Sequence, residues 1–442
     1  MNNKFDYILE LFYAIYSIDF PVEISYGLDG LSKIQISKGD TSFFDGDSAQ
    51  PETVVWKVWN EEKIPFLFDG NDEKEIIGVV NGQVIINYDI IASSFFFLSG
   101  WQEYKTQQKD RLGRFPYSES IQYKLNLVEL PLVNYYFDIL KQALEQVYDK
   151  ELKVKLWGDG EYGTFISHDI DLCESAWKQG SLSELARGRV SSPFYLLSKK
   201  LFSNDDWFNF DLIMELEKRH LAKSTFYFLC ENKKVNNYPN ADYDISDKKF
   251  LPVFDNILKN ESELGIHGSL GTSNDAAKLK LEMRKIPGDI EGGRFHALVY
   301  DIHKTPDIIE EAGLKYDSTL GFAEHIGFRN SFCFPFFPYD IKNDQPYKFL
   351  EIPLMVMDAT LKMKKYMGLT PDEAGKAISS LMREVRKFNG CFSILWHNNF
   401  YSNYKFSGWR EIMEQVLQEG STEGSRYFTG KEISDIYRSQ MR

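Results

Sequence analysis

The chain has 442 residues, with 51 lysines and arginines against 65 aspartates and glutamates, a formal net charge of −14. That length points to two domains, and a composition 43% hydrophobic and 15% aromatic excludes a disordered chain. The negative balance excludes a nucleic-acid partner, because such affinity rests on lysine and arginine neutralising phosphates.

In chain order, residues 5–18 pattern as an amphipathic helix. Asp6, Glu10 and Asp19 interrupt any signal-peptide core. Residues 22–27 and 32–38 read as short strands. Glu75–Val80 and Val84–Tyr88 flank the turn pair Asn81-Gly82 and predict a hairpin. Asp89 is placed to cap a helix through Phe95–Trp101, and residues 132–148 read as another helix. Trp101, Tyr104, Arg111, Arg114 and Tyr117 either pack into this α+β core, the preferred reading, or line a sugar-binding surface. Residues 1–158 are therefore expected to form an N-terminal α+β domain of unknown role, with Gly158, Gly160 and Gly163 marking the boundary.

Residues 159–442 are expected to form a (β/α) barrel. Apolar strand-like runs fall at 163–167, 223–229, 263–267, 292–296, 314–318, 349–354, 391–396 and 426–428. Helical stretches fall at 206–220, 247–260, 274–285, 304–312, 371–388 and 408–418. Residues 172–204 interrupt this alternation as a long insertion, a common place for a lid or substrate clamp. No apolar stretch is long enough to span a membrane. Cys173, Cys230, Cys333 and Cys391 lack C-x-x-C spacing and read as reduced residues of a cytoplasmic protein, not as zinc ligands.

Chemistry in parallel α/β folds collects at the carboxyl ends of the strands. There the chain places Asp169 and Asp171, two residues apart and on one face of a strand, beside His168. His267, then Arg294 and His296, then His397 end later strands. Each alone reads more readily as a cap or a satisfied core residue. Their shared rim argues for a site in which one carboxylate holds a metal while the other takes a proton from water.

These residues resemble the motifs of the polysaccharide deacetylases, carbohydrate esterase family four. The pair Asp169 and Asp171 resembles the first motif. Ser224-Thr225-Phe226-Tyr227-Phe228 resembles the second-strand signature, His267-Gly268-Ser269 the start of the histidine motif, and Leu395-Trp396-His397 the closing L-x-H. The resemblance implies a distorted (β/α) barrel holding one divalent metal, zinc by preference, that removes an N-acetyl group from a sugar or polysaccharide precursor. It implies Asp169 as base, Arg294 orienting it, His397 as acid, and Asp171 and His267 as metal ligands. The family's second histidine ligand falls here on Gly271, and His296 stands where the family has a proline. Either His296 or His168 supplies the third donor, or water does, or the metal has been lost. His296 is the expected ligand, with a substrate contact as its other reading.

Tyr316-Asp317-Ser318-Thr319, Gly327-Phe328-Arg329 and Glu351-Ile352-Pro353-Leu354 are similar to deacetylase-like proteins of cell-surface polysaccharide clusters. Asp317, Arg329 and Trp396 are expected at the substrate, with structural ion pairs the competing reading for Asp317 and Arg329. The alternative function is an inactive, deacetylase-like protein that binds a glycan or a partner. A third is hydrolysis of another amide or ester.

Overall fold

In the computed structural model, which describes residues 2–70 and 72–440, the C-terminal strands run parallel and are covered by helices. Tyr162–Ile170 is buried along its whole length, as strands with both faces covered must be. The order across the sheet is Leu350–Glu351, Tyr316–Asp317, Gly292–Phe295, Glu263–Gly268, Thr225–Leu229, Tyr162–Ile170, Cys391–Leu395, Val356–Met357, all in parallel register. Ser425–Phe428 pairs with residues 162–165, below the point where Thr225–Leu229 begins its own pairing.

The two edges of this order are neighbours in sequence. Of residues 349–354, expected as one strand, only Leu350–Glu351 is strand; Val356–Met357 forms the other edge, and the linking residues close the sheet into a distorted (β/α) barrel. Ile352 N donates to Asp317 O at 2.8 Å and Leu354 N to Leu320 O at 3.0 Å on one side. On the other, Met355 N donates to Ser393 Oγ at 3.0 Å and Ser393 Oγ to Pro353 O. Pro353 lacks an N–H, which favours leaving one ladder and joining the next at this point. Crowding inside the barrel selects Gly292, where any Cβ would sit 1.9 Å from the Tyr316 ring.

The N-terminal region forms a four-stranded mixed sheet flanked by helices Asn2–Ile15, Ile90–Leu98 and Leu132–Tyr148. The hairpin Ile77–Val80/Gln83–Ile86 turns on Asn81 and Gly82, both at positive φ, as a type I′ turn requires. Asp89 caps its helix by accepting Ala92 N at 2.8 Å. A second hairpin, Val54–Trp59 with Glu62–Leu67, was not expected from the sequence.

One apolar cluster runs without interruption from Tyr7 and Phe12 through the barrel to Ile433 and Tyr437. The seam between the two regions also carries polar contacts. Phe328 N donates to Val128 O at 2.7 Å and Cys333 N to Asn134 Oδ1 at 2.9 Å. Arg329 forks onto Glu103 at 2.8 and 2.7 Å, with both side chains buried. Removing either partner of such a pair costs about 3–5 kcal/mol, because a charge is left buried alone.

Candidate metal centre

Five side chains converge at the carboxyl end of the barrel. Asp169 lies at the end of Tyr162–Ile170 and Asp171 just beyond it, and the two-residue period turns both toward His267. His168, one residue off that period, faces the other way. Its ring nitrogens meet Trp396 O at 2.7 Å and Glu217 Oε1 at 2.8 Å in the core. That leaves it unable to reach the cluster.

Asp171, His267 and His296 form a group whose nearest donor atoms all lie within 4.8 Å of one another. His267 Nδ1 lies 2.9 Å from Arg294 O, and His296 Nε2 lies 3.2 Å from Pro239 O. A carbonyl only accepts, so these two nitrogens carry the protons. The opposite nitrogens, His267 Nε2 and His296 Nδ1, then face each other at 3.1 Å. Asp171 Oδ1 stands 3.4 and 3.5 Å from them, buried and without a hydrogen-bond partner. Two imidazole lone pairs and an orphaned carboxylate oxygen require positive charge between them. Burial pushes the Asp171 carboxyl up, but His296 and His267 outweigh it and hold it well below the ordinary carboxylate range. His296 is pushed down by burial and raised further by Asp171, ending above its ordinary value. A proton can supply the missing charge; a divalent cation fits the donor set better, since one carboxylate and two imidazoles are a common ligand combination.

The turn after Gly292–Phe295 aims His296 inward. Ala297 and Leu298 both have left-handed φ, 57° and 56°, a costly conformation for residues with a Cβ. Arg114 Nη1 donates to Ala297 O at 2.7 Å, and Asp110 anchors the guanidinium at 2.8 Å (Nε) and 2.7 Å (Nη2). An N-terminal loop thus props the turn that carries His296.

Asp169 flanks the group. Arg294 Nη1 donates to its Oδ1 at 2.9 Å, while Oδ2 lies 3.5 Å from His267 Nε2. Arg294 is itself held by Ser318 O at 2.6 Å, Ser318 Oγ at 2.8 Å and Ser167 Oγ at 2.9 Å, and lies over the Tyr227 ring. His397 stands on the other flank, with Nε2 3.6 Å from Asp171 Oδ2. Its Nδ1 meets Asp358 Oδ1 at 2.7 Å, and Asp358 Oδ2 accepts the His397 backbone N–H at 2.6 Å. Burial lowers the His397 imidazole, but Asp358 outweighs that and pushes it up to about 10.

All five line a cavity of about 650 Å³ whose walls also include Arg111, Arg114, Tyr238, Met363 and Tyr366. A cleft of about 800 Å³ opens at the other end of the barrel, around His220 and Arg426, without such a cluster.

Several sequence expectations meet a different placement. Asp317 is buried and bonded to Thr319 N and Oγ1 at 2.9 and 3.0 Å. Arg329 is consumed by Glu103, and Trp396 packs on Phe400 and Trp409. None of the three lines the cavity, and the contacts each makes are with other parts of the chain. Residues 172–204 do not line it either, so in this conformation they do not act as its lid. Gly271 has a φ of +94°, and a Cβ there would face Lys278 Nζ at 3.4 Å. Trp101 is core, whereas Arg111 and Arg114 reach the cavity. Sequence reasoning missed Asp358, although Val356-Met357-Asp358 repeats the pattern of an apolar strand ending in a polar residue. It also missed Asp110, Tyr238 and Tyr366, which lie on loops without a motif.

Residues 4–149 match the model of a family of unknown function, DUF7033. No curated protein matches. Among solved structures, a putative polysaccharide deacetylase from Mycobacterium smegmatis is 15% identical with a TM-score of 0.43, covering 64% of this chain and 92% of that one. A probable polysaccharide deacetylase from Pseudomonas aeruginosa PAO1 is 11% identical with a TM-score of 0.43 over the same shares. Puue allantoinase is 10% identical with a TM-score of 0.44, again over 64% and 92%.

Proposed function

We propose that this chain is a metal-dependent hydrolase that removes an N-acetyl group from a sugar or a polysaccharide precursor in the cytoplasm. On this reading residues 159–442 are the catalytic barrel and residues 1–158 a distinct domain that supports it. The observation that carries the proposal is the pair of facing imidazole nitrogens beside Asp171 Oδ1, flanked by a carboxylate on one side and a histidine on the other.

Asp171, His267 and His296 would hold one divalent cation, zinc by the preference of this donor set. When bound, such an ion polarises a carbonyl and lowers the pKa of water. Asp169 accepts the proton of the attacking water through Oδ2, the oxygen that Arg294 does not engage. The water oxygen bonds to the acetyl carbon and the carbon–nitrogen bond breaks. His397, kept protonated by Asp358, delivers its Nε2 proton to the departing amine. Tyr238 and Tyr366 offer rings in the cavity wall suited to stacking on a sugar.

The test is metal content by mass spectrometry after reconstitution, together with acetate release from N-acetylated sugars. The expected result is near one metal per chain, and acetate release lost in Asp169→Asn and His397→Gln while the metal stays. A wild-type chain that takes up no metal overturns the proposal.

A further inference from the structure

The excursion after Tyr162–Ile170 carries the most concentrated exposed apolar surface described in this chain. It consists of helices Ala176–Ala186 and Ser191–Phe202, packed together through the buried Leu196 and against Tyr404. Val190, Phe194, Leu197 and Leu201 recur at helical spacing and are all exposed, as are Tyr195 and Phe202 beside them; Phe194 and Phe202 are 76% and 88% exposed. Leu182 and Leu185 on the first helix are exposed too. Soluble surfaces rarely leave such a patch uncovered unless something docks there.

Charge says what docks. The stretch 176–202 holds Lys178, Arg187, Arg189, Lys199 and Lys200 against a single acidic residue, Glu184, in a chain whose overall charge is −14. Glu184 is buried and is engaged by Arg187 and Arg189. Lys199 pairs with Asp206 and Lys200 with Glu174, both outside the two helices. Lys362 and Lys405 add to the positive field. Burial and the charge of Arg187 lower the Lys362 pKa, and burial and Lys362 lower that of Lys405. Large apolar side chains interleaved with cations on a helix face suit the interface of an anionic bilayer. A second copy of the chain suits it less, since a two-fold contact would set the same cations against each other.

We infer that the helical hairpin 176–202 docks the protein on an anionic lipid surface, with Phe194, Leu197, Leu201 and Phe202 entering the headgroup layer and Lys178 and Arg189 meeting lipid phosphates. The hairpin leaves from the carboxyl end of its strand, the end that carries the metal centre, so docking brings the cavity near the membrane. Docking stands independently of the hydrolase reading. Where both hold, the substrate class is a sugar carried on a lipid.

Flotation with vesicles tests this without any activity measurement. The full chain is mixed with vesicles of phosphatidylcholine alone or of phosphatidylcholine with phosphatidylglycerol. Binding to the mixed vesicles only is the expected result. Lys178→Gln and Arg189→Gln should each weaken it about fivefold, and Phe194→Ser combined with Leu201→Ser should abolish it with the melting temperature kept. Equal binding to both vesicle types, or none, overturns the inference. So does self-association in sedimentation velocity that the serine variant removes while vesicles are ignored; that outcome assigns the face to a second copy.

Discussion

Arg114, from the N-terminal region, donates to the carbonyl of Ala297, the residue directly after His296, at 2.7 Å. The turn that carries His296, the proposed third donor, is therefore held by a residue some 180 positions earlier in the chain. Arg114→Met should weaken zinc binding about 10- to 100-fold, the usual effect of losing a contact that orients a ligand. Arg114→Lys should recover part of it. Chelator competition measures the affinity, with a thermal melt run alongside. A melt that drops while zinc affinity holds would show the contact to be structural only.

His296 and His168 were the competing candidates for the third donor, and their surroundings separate them. His296→Ala should cut metal content with little change in stability. His168→Ala should leave metal content near wild type but destabilise the fold by about 3–5 kcal/mol, because Glu217 loses its buried partner. Metal content and denaturant midpoints for both variants decide the matter. Equal metal loss in the two would contradict the geometry.

Asp358 keeps His397 protonated. In the metal-free protein the His397 imidazole should titrate near pH 10, followed by NMR of the ring protons. The folded value lies above the ordinary histidine value, about 6.5. Its contribution to stability is therefore complete below that pH and is lost as pH rises through about 10. Asp358→Asn should bring the titration back toward the ordinary value and flatten this alkaline decline. Under the proposed reaction it should also slow acetate release more than it weakens substrate binding.

A histidine placed at position 271 should not tighten the site. Gly271 is left-handed, and a Cβ there would face Lys278 Nζ at 3.4 Å. Gly271→His should cost about 1–2 kcal/mol of stability and leave metal affinity unchanged in the same competition assay. A tighter site would mean that the loop can rearrange to bring a fourth donor in.

The sequence by itself determined much of the architecture. Strand and helix periodicity located the barrel, Asn81-Gly82 and Asp89 marked a hairpin and a cap, and strand ends singled out Asp169, Asp171, His267, Arg294, His296 and His397. Those signals are local, because side-chain period and turn chemistry act over a few residues. Only the tertiary structure decided which polar strand-end residues share a space. It turned His168 into the core, joined Asp358 to His397 and used Arg329 to tie the barrel to Glu103. It also placed Leu350–Glu351 and Val356–Met357 at opposite edges of the seam and brought the Arg114 loop onto the Ala297 turn. These contacts depend on how the sheet curls and on what covers its ends. That is set by packing between segments far apart in the chain, on which local sequence carries no signal.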